Sequence, residues 1–421
     1  MRDHLMDLWR TALKAADPSA VLPRALARHG VSEKAVVIAA GKAAGPMVSA
    51  LPDSLRRRAR GLVVCHTACP APPVGFEVIE AGHPVPDAAS ARAGDAALAL
   101  ARRLDPDDCL VVLLSGGASA LLGRPADAVR LEDMAALTRD LLASGAPIGA
   151  INTVRRALSA VAGGRLAAAA HPARVVTLAI SDVVGDPPAD IGSGPTVASP
   201  TALADARAVL DRFSFRPTAA IRTALADASN EPPEAEDPRL QRQSFEVIIS
   251  PAMALGAVAA RAEALGFVVH DLGADLEGEA RAVARTHARR AAALPATDRP
   301  QILLSGGELT VTLGERHGEG GPNQEYALAV AQALGDRRGY QVLAADTDGR
   351  DGLNMGPAHA GGFADHTTPA RACAVGLSLS AVLHAHDSAG ALRTLGDALV
   401  TGPTGTNVND LRMILVEPCP P

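Results

Sequence analysis

Apolar residues come in two rhythms along this chain. Short continuous runs end in Gly, Ser or Asp, and longer Ala-, Leu- and Arg-rich segments of helical period separate them. That alternation predicts parallel strands joined by helices. The strand candidates are residues 35–45, 61–67, 109–117, 173–182, 245–250, 267–273, 301–307 and 340–349, with helices expected over 88–104 and 252–266. Near the N-terminus, Leu5, Leu8, Trp9 and Leu13 recur at helical spacing, so the first turns read as an amphipathic helix belonging to the fold.

A chain of 421 residues exceeds the size at which one hydrophobic core keeps growing, so two domains are expected. The polar, Pro-rich stretch 228–243 supplies the boundary, dividing an N-terminal Rossmann-like α/β domain over 1–235 from a C-terminal α/β domain over 240–421. The predicted fold class is α/β: two α/β domains, the first a doubly wound, mostly parallel sheet, with an active-site cleft between them. The last segment is a candidate to pack back on the first domain.

Composition narrows the function. Aromatic residues are 2% of the chain against 48% hydrophobic overall, so the core is built from aliphatic side chains. A net charge of −6 without a Lys/Arg run argues against nucleic acid as a partner. No stretch approaches a membrane span of ~20 apolar residues, and acids interrupt the N-terminal apolar pattern as they would not in a signal peptide. Five scattered cysteines suit a reducing compartment, and the expected location is cytoplasmic. Cys65, His66 and Cys69 suggest a metal site, but no second ligand pair follows at zinc spacing.

In a parallel sheet, ligands bind just beyond the carboxyl ends of the strands. Five such ends are unusual here: Gly41-Lys42, Ser115-Gly116-Gly117, Ser181-Asp182, Ser305-Gly306-Gly307-Glu308 and Asp346-Thr347-Asp348-Gly349. Glycine there lets backbone N–H groups approach an anion. Lys42 stands out because only three of the 40 basic residues are lysines, and a compact ammonium suits a crowded oxyanion better than a planar guanidinium does. Lys42 with Asp182, Asp186, Asp346, Asp348, Asp351 and Glu308 has the residue types of phosphoryl transfer: a cation, carboxylates for Mg²⁺ and a group to orient the attacking hydroxyl. A P-loop does not fit, since Val36 and Ala43 occupy its Gly and Ser/Thr positions, and no G-x-G-x-x-G fingerprint occurs. The segment 346–352 imitates a calcium loop but has Pro357 where the bidentate Glu belongs.

The segments 151–167 (INTVRRALSAVAGGRLA), 178–196 (LAISDVVGDPPADIGSGPT), 318–329 (GEGGPNQEYALA), 344–352 (AADTDGRDG) and 403–416 (PTGTNVNDLRMILV), with GKAAGPM and GHPVPD before them, resemble the glycerate 2-kinase family. Many members of that family have been called hydroxypyruvate reductases. The resemblance implies ATP-dependent phosphorylation of D-glycerate at its 2-hydroxyl, with Mg²⁺, and a homodimer as a candidate assembly. It makes Lys42 the catalytic lysine and Asp182 the carboxylate positioning hydroxyl or metal, with Asp186 next in line. Ser115, Gly116, Gly117, Ser193 and Gly194 are expected on the nucleotide side with Glu308 and Asn323. Asn152, Arg155, Gln324 and Glu325 are expected on the glycerate side, and Asp182, Asp346 and Asp348 around the metal. Glu308, Asn323, Gln324 and Glu325 are expected to project from the second domain.

Two departures from the family pattern are Pro322, where many members have Arg and for which Arg155 or Arg165 is the candidate substitute, and Ala162, where many have Lys. The alternatives are an NAD(P)H-dependent hydroxypyruvate reductase and a non-catalytic protein that binds sugar acids.

Overall fold

The computed structural model describes residues 2–66, 73–314 and 317–418, which form two compact units, Pro18–Ile248 and Met1–Asp17 with Ile249–Pro421. In the first unit the strands are β1 (Val36–Ala40), β2 (Arg60–Cys65), β3 (Phe76–Glu80), β4 (Cys109–Leu114), β5 (Arg174–Ile180) and β6 (Gln243–Ile249). Their order across the sheet is β3-β2-β1-β4-β5-β6. The pairs β2–β3, β1–β2, β1–β4 and β4–β5 are parallel. Every residue of β1 and β4 is buried, which is why both read as unbroken apolar runs rather than alternating ones.

The helix Ala88–Ala101 starts with a capping box, in which Ser90 N–H donates to Asp87 (2.9 Å) and Asp87 N–H to Ser90 Oγ (3.0 Å). Its Ala93, Ala97 and Leu98 pack with Ile38, Val112 and Leu121 in one core. A separate, strandless core forms where the helices Leu131–Ala143, Ile148–Ala157, Leu203–Arg212 and Ala219–Ala226 meet.

The second unit contains β7 (Val268–Asp271), β8 (Gly278–Glu279), β9 (Gln301–Ser305), β10 (Leu309–Thr310), β11 (Tyr340–Asp346), β12 (Gly361–Asp365), β13 (Ala398–Leu399) and β14 (Asp410–Val416). Its main sheet runs β13-β12-β11-β14-β9-β7, and β8 and β10 form a separate parallel pair. This sheet is mixed: β14 is antiparallel to both of its neighbours, β11 and β9, whereas β7 and β9 are parallel.

The division differs from the sequence expectation in three respects. The helix Arg2–Ala15 belongs to the second unit, burying Leu5, Leu8, Trp9 and Ala12 in a core with Leu255, Val258 and Met413. At roughly 2 kcal/mol for each large apolar side chain removed from water, that contact outweighs nearness in sequence. Residues 243–249, expected to open the second domain, are instead the edge strand β6 of the first sheet. The polar stretch before β6 is laced to the first unit: Arg242 donates to the carbonyls of Pro106 (2.9 Å) and Pro172 (2.7 Å), and Arg165 to that of Asn230. The chain's last segment is β14, an internal strand of the second sheet.

Candidate active site

Connections leave β1 and β4 toward opposite edges of the first sheet, so the carboxyl ends of these neighbouring strands flank its topological switch point. The two turns there are latched together. Lys42 N–H donates to the Gly116 carbonyl (2.8 Å), Ala43 N–H to Ser115 Oγ (3.0 Å) and Ser115 N–H to the Ala40 carbonyl (3.0 Å). Gly41 has φ +129°, and a Cβ there would lie 2.1 Å from Ser115 Oγ, so only glycine fits this crossing. Lys42 is exposed while Gly41 and Ala43 are buried, which places the lysine on the open side of the latch. Gly117, at φ +86°, packs beneath the His83 imidazole, whose Cδ2 would be 2.9 Å from an added Cβ.

Beyond β5 the chain forms a long loop through Asp182, Asp186, Ser193 and Gly194. Asp182 is half-buried immediately after Ser181. Asp186 has a positive φ of 55°, and its Oδ1 is buried without a hydrogen-bond partner among the described residues. A non-glycine in that conformation carrying a buried, unpaired carboxylate oxygen marks a functional candidate. Gly192, Ser193 and Gly194 follow one another at φ near +60°. The loop is held by Arg156, whose guanidinium donates to Asp190 (2.7 Å) and to the Ala189 carbonyl (3.0 Å). It is also held by Gly163 N–H to the Ser193 carbonyl (3.0 Å) and Gly164 N–H to that of Gly194 (2.8 Å). Ser193 Oγ meets Ser119 Oγ at 2.7 Å, tying the loop to the helix Ala118–Leu121 that follows the Ser-Gly-Gly turn.

Arg155 precedes the clamp residue on the helix Ile148–Ala157, and Asn152 sits one turn earlier on the same face. Arg165 is spent on the carbonyls of Arg156, Ala162 and Asn230, and burial pushes its pKa down to about 10. Arg155 makes no hydrogen bond or ion pair among the described residues, and burial alone lowers its pKa.

In the second unit the expected site residues have internal partners. Asn323 and Gln324 open the helix Pro322–Leu334, and their backbone N–H groups donate to Asp351 (3.1 and 2.8 Å). The Asn323 amide bridges Asp351 (3.2 Å) and Asp410 (2.6 Å). Burial and the neighbouring Asp410 push the Asp351 carboxyl up to about 7, and burial raises Asp410 as well. Gln324 donates to the Asp351 carbonyl (2.8 Å) and meets His359 Nδ1 at 3.0 Å. Glu325, with its side chain 3% exposed, pairs with His386 (3.0 Å), and Arg281 Nε lies 2.9 Å away at an ion-pair rather than hydrogen-bond angle. All three side chains are buried, so they hold this helix in its unit instead of projecting from it. Glu308 is exposed after β9. Asp346 and Asp348 each accept from a backbone N–H two residues on (2.9 and 2.8 Å), shaping the turn after β11.

No three His, Cys, Asp or Glu side chains gather into a metal-binding group among the described residues. Carboxylates such as Asp182, standing at a strand end, suit a Mg²⁺ that keeps most of its ligands from phosphate and water. Cys69, one member of the suggested Cys/His group, lies outside the described residues. No helix among the described residues is long and apolar enough to cross a membrane.

Three contributors escaped the sequence reading. Arg156 clamps the 186–194 loop, His83 covers Gly117, and Arg412 locks the second Ser-Gly-Gly turn. Each lies inside a segment quoted above for its family resemblance, but only tertiary contact reveals its task.

The latched turns at the switch point and the loop beyond β5 give the first unit of this α/β protein a glycine-rich candidate site at its strand ends. Residues 4–226 match the domain of unknown function DUF4147, and residues 301–410 match the MOFRL family. A Pyrococcus horikoshii protein named glycerate 2-kinase is 36% identical, covering 96% of this chain and 95% of its own. An Agrobacterium vitis protein bearing the name hydroxypyruvate reductase is 41% identical over 99% of this chain and 94% of its own. The crystal structure of glycerate kinase from Thermotoga maritima superposes with a TM-score of 0.87 at 34% identity, covering 98% of this chain and 99% of that one. The chain belongs to the glycerate 2-kinase family.

Proposed function

We propose that this protein transfers the γ-phosphoryl group of ATP to the 2-hydroxyl of D-glycerate, giving 2-phospho-D-glycerate and ADP. The observation that carries the reading is the latch at the switch point, which presents Lys42 beside Ser115-Gly116-Gly117 in a chain whose relatives are named glycerate kinases. The substrate 2-oxygen attacks the γ-phosphorus, the bond from that phosphorus to the β,γ-bridging oxygen breaks, and the hydroxyl proton passes to a carboxylate. Asp186 suits the proton acceptor because it has a buried oxygen lacking a donor.

Lys42 stabilises charge on the equatorial oxygens of the moving group, an interaction strongest in the transition state. Mg²⁺, when bound, neutralises phosphate charge, and Asp182 is the residue proposed to hold it. Ser193 and Gly194 belong to the loop lining the reacting groups. Soluble, cytoplasmic action on small molecules is part of this reading.

The test is ADP release with D-glycerate set beside NADH oxidation with hydroxypyruvate. Glycerate-dependent ADP formation without NADH turnover is expected, and the reverse pattern would replace this function with the reductase.

A further inference from the structure

A pocket of about 460 Å³ opens at the amino ends of the first sheet's strands. Arg174 begins β5 and Gln243 begins β6, and Val175 N–H donates to the Arg242 carbonyl (3.0 Å), so the starts of these two strands lie side by side. Arg28, His29, Arg174 and Arg242 line the pocket with Gln243 and Ser244. Its lining residues include no acid, no aliphatic side chain and no Phe, Tyr or Trp. β5 has seven residues, and at about 3.3 Å for each its two ends stand roughly 20 Å apart. The pocket is therefore distinct from the candidate active site at the carboxyl ends.

Two of the arginines are held in place without being neutralised. Arg242 donates through Nη1 to the carbonyls of Pro106 (2.9 Å) and Pro172 (2.7 Å), and Arg174 through Nη2 to the Gly30 carbonyl (3.2 Å) and the Cys109 sulfur (3.7 Å). Neither forms an ion pair among the described residues, and each keeps three N–H groups without an acceptor there. Glu246 is taken by Arg28 and by His29 Nε2 (2.8 Å), and the Asp108 carboxylate accepts from the backbone N–H of Asp105 (2.9 Å). Guanidiniums fixed by backbone carbonyls have lost much of their rotamer freedom before a ligand arrives, which favours binding of an anion between them. At the pocket wall, Gln243 Oε1 is buried without a hydrogen-bond partner among the described residues. That acceptor calls for a ligand that also donates.

We propose that this pocket binds a small phosphate monoester carrying a free hydroxyl, with the phosphate between Arg174 and Arg242 and the hydroxyl at Gln243. A phosphate dianion offers three oxygens to two guanidiniums, whereas a single carboxylate matches only one of them. With no Phe, Tyr or Trp in the lining, a nucleotide base has no such face to stack on. The assignment goes beyond the transfer chemistry and stands independently of the kinase reading.

The experiment is calorimetric titration of the full chain with glycerol 2-phosphate and with inorganic phosphate, in the wild-type protein and in Arg174→Gln, Arg242→Gln, Gln243→Leu and Lys42→Met. Losing a charge-assisted pair raises the Kd for glycerol 2-phosphate about 10- to 100-fold in each arginine variant, while Lys42→Met binds it like the wild type. Gln243→Leu should lower the affinity for the ester to that for inorganic phosphate and leave the latter unchanged. Binding that is lost in Lys42→Met and kept in the arginine variants would move the phosphate to the strand-end turns and overturn the proposal, as would no binding at all. Equal affinity of the wild-type protein for the ester and for inorganic phosphate would contradict the hydroxyl contact and make free phosphate the ligand. Where an arginine variant fails to fold, the His29 imidazole resonance of the wild-type protein decides by NMR. A saturable shift on adding glycerol 2-phosphate supports the site, and a resonance that does not move contradicts it.

Discussion

Ser-Gly-Gly occurs after β4 and again after β9, and the two copies have different tasks. In the first, Ser115 and Gly116 accept from the backbone of the Lys42 turn, and the lysine itself is exposed. In the second, the guanidinium of Arg412, which is 1% exposed, donates to Ser305 Oγ (3.3 Å) and to the carbonyls of Gly306 and Gly307, and pairs with Asp410 (2.9 Å). A Cβ on Gly307 would lie 2.3 Å from the Leu276 backbone, so that glycine allows close packing. A strand-end glycine turn presents chemistry where its polar partners are backbone groups and an exposed side chain stands beside it. Where a buried side chain fills it, the same turn becomes part of the scaffold.

The comparison can be broken at either copy. The largest effect is expected from Lys42→Met, which removes a donor used chiefly in the transition state: turnover should fall about 10²- to 10³-fold, with an unchanged melting temperature. Steady-state assays on the purified variant check this, and near-normal turnover would move the catalytic role elsewhere. At the other copy, Arg412→Met leaves Asp410 buried without its cation and should destabilise the protein by about 3–5 kcal/mol, read from chemical denaturation. An undamaged fold in that variant would show that the second turn does not need its arginine.

Smaller effects sharpen the contrast. Arg156→Met releases the loop through Asp190 and should cost about 2 kcal/mol, while kcat falls more than KM rises, because the loop carries Asp186 as well as Ser193. A further change is expected in pH dependence. The folded Asp351 carboxyl keeps its proton up to about 7 against an ordinary value of 3.8, so its contribution favours folding below the lower value and is lost as pH rises to the upper one. Asp351→Asn should therefore flatten the decline in denaturant midpoint across that window, and an unchanged slope would assign the titration to another group.

Much of this fold was legible because buried parallel strands leave continuous apolar runs. All eight predicted runs contain strands. What escaped was β3, β12 and β14, together with the two-residue strands β8, β10 and β13. Phe76-Glu77-Val78-Ile79-Glu80 is an edge strand with no fully buried residue, so its charges read as a loop. Gly361 and Gly362 depress strand propensity, yet a Cβ on Gly361 would lie 2.0 Å from the Ala344 carbonyl oxygen, so the sheet requires that bareness. β14 hides behind Arg412, a charge at a core position that no period rule anticipates.

At the site, Lys42 was singled out by its rarity and Asp186 by the SDVVGD block that carries the family resemblance, both local signals. The buried roles of Gln324 and Glu325 depend on His359, Arg281 and His386, which come from distant parts of the chain. The linker reading of 228–243 failed for the same reason: its ties run to carbonyls far away in sequence.

The central claim is that the latch holding Lys42 serves transfer to the 2-hydroxyl. D-Glycerate labelled with ¹³C at C2 and C3, incubated with ATP, Mg²⁺ and the wild-type protein, tests this by NMR. The account predicts a product whose two-bond phosphorus coupling appears at C2, giving 2-phosphoglycerate. That coupling at C3, or no phosphorylated glycerate at all, would contradict it.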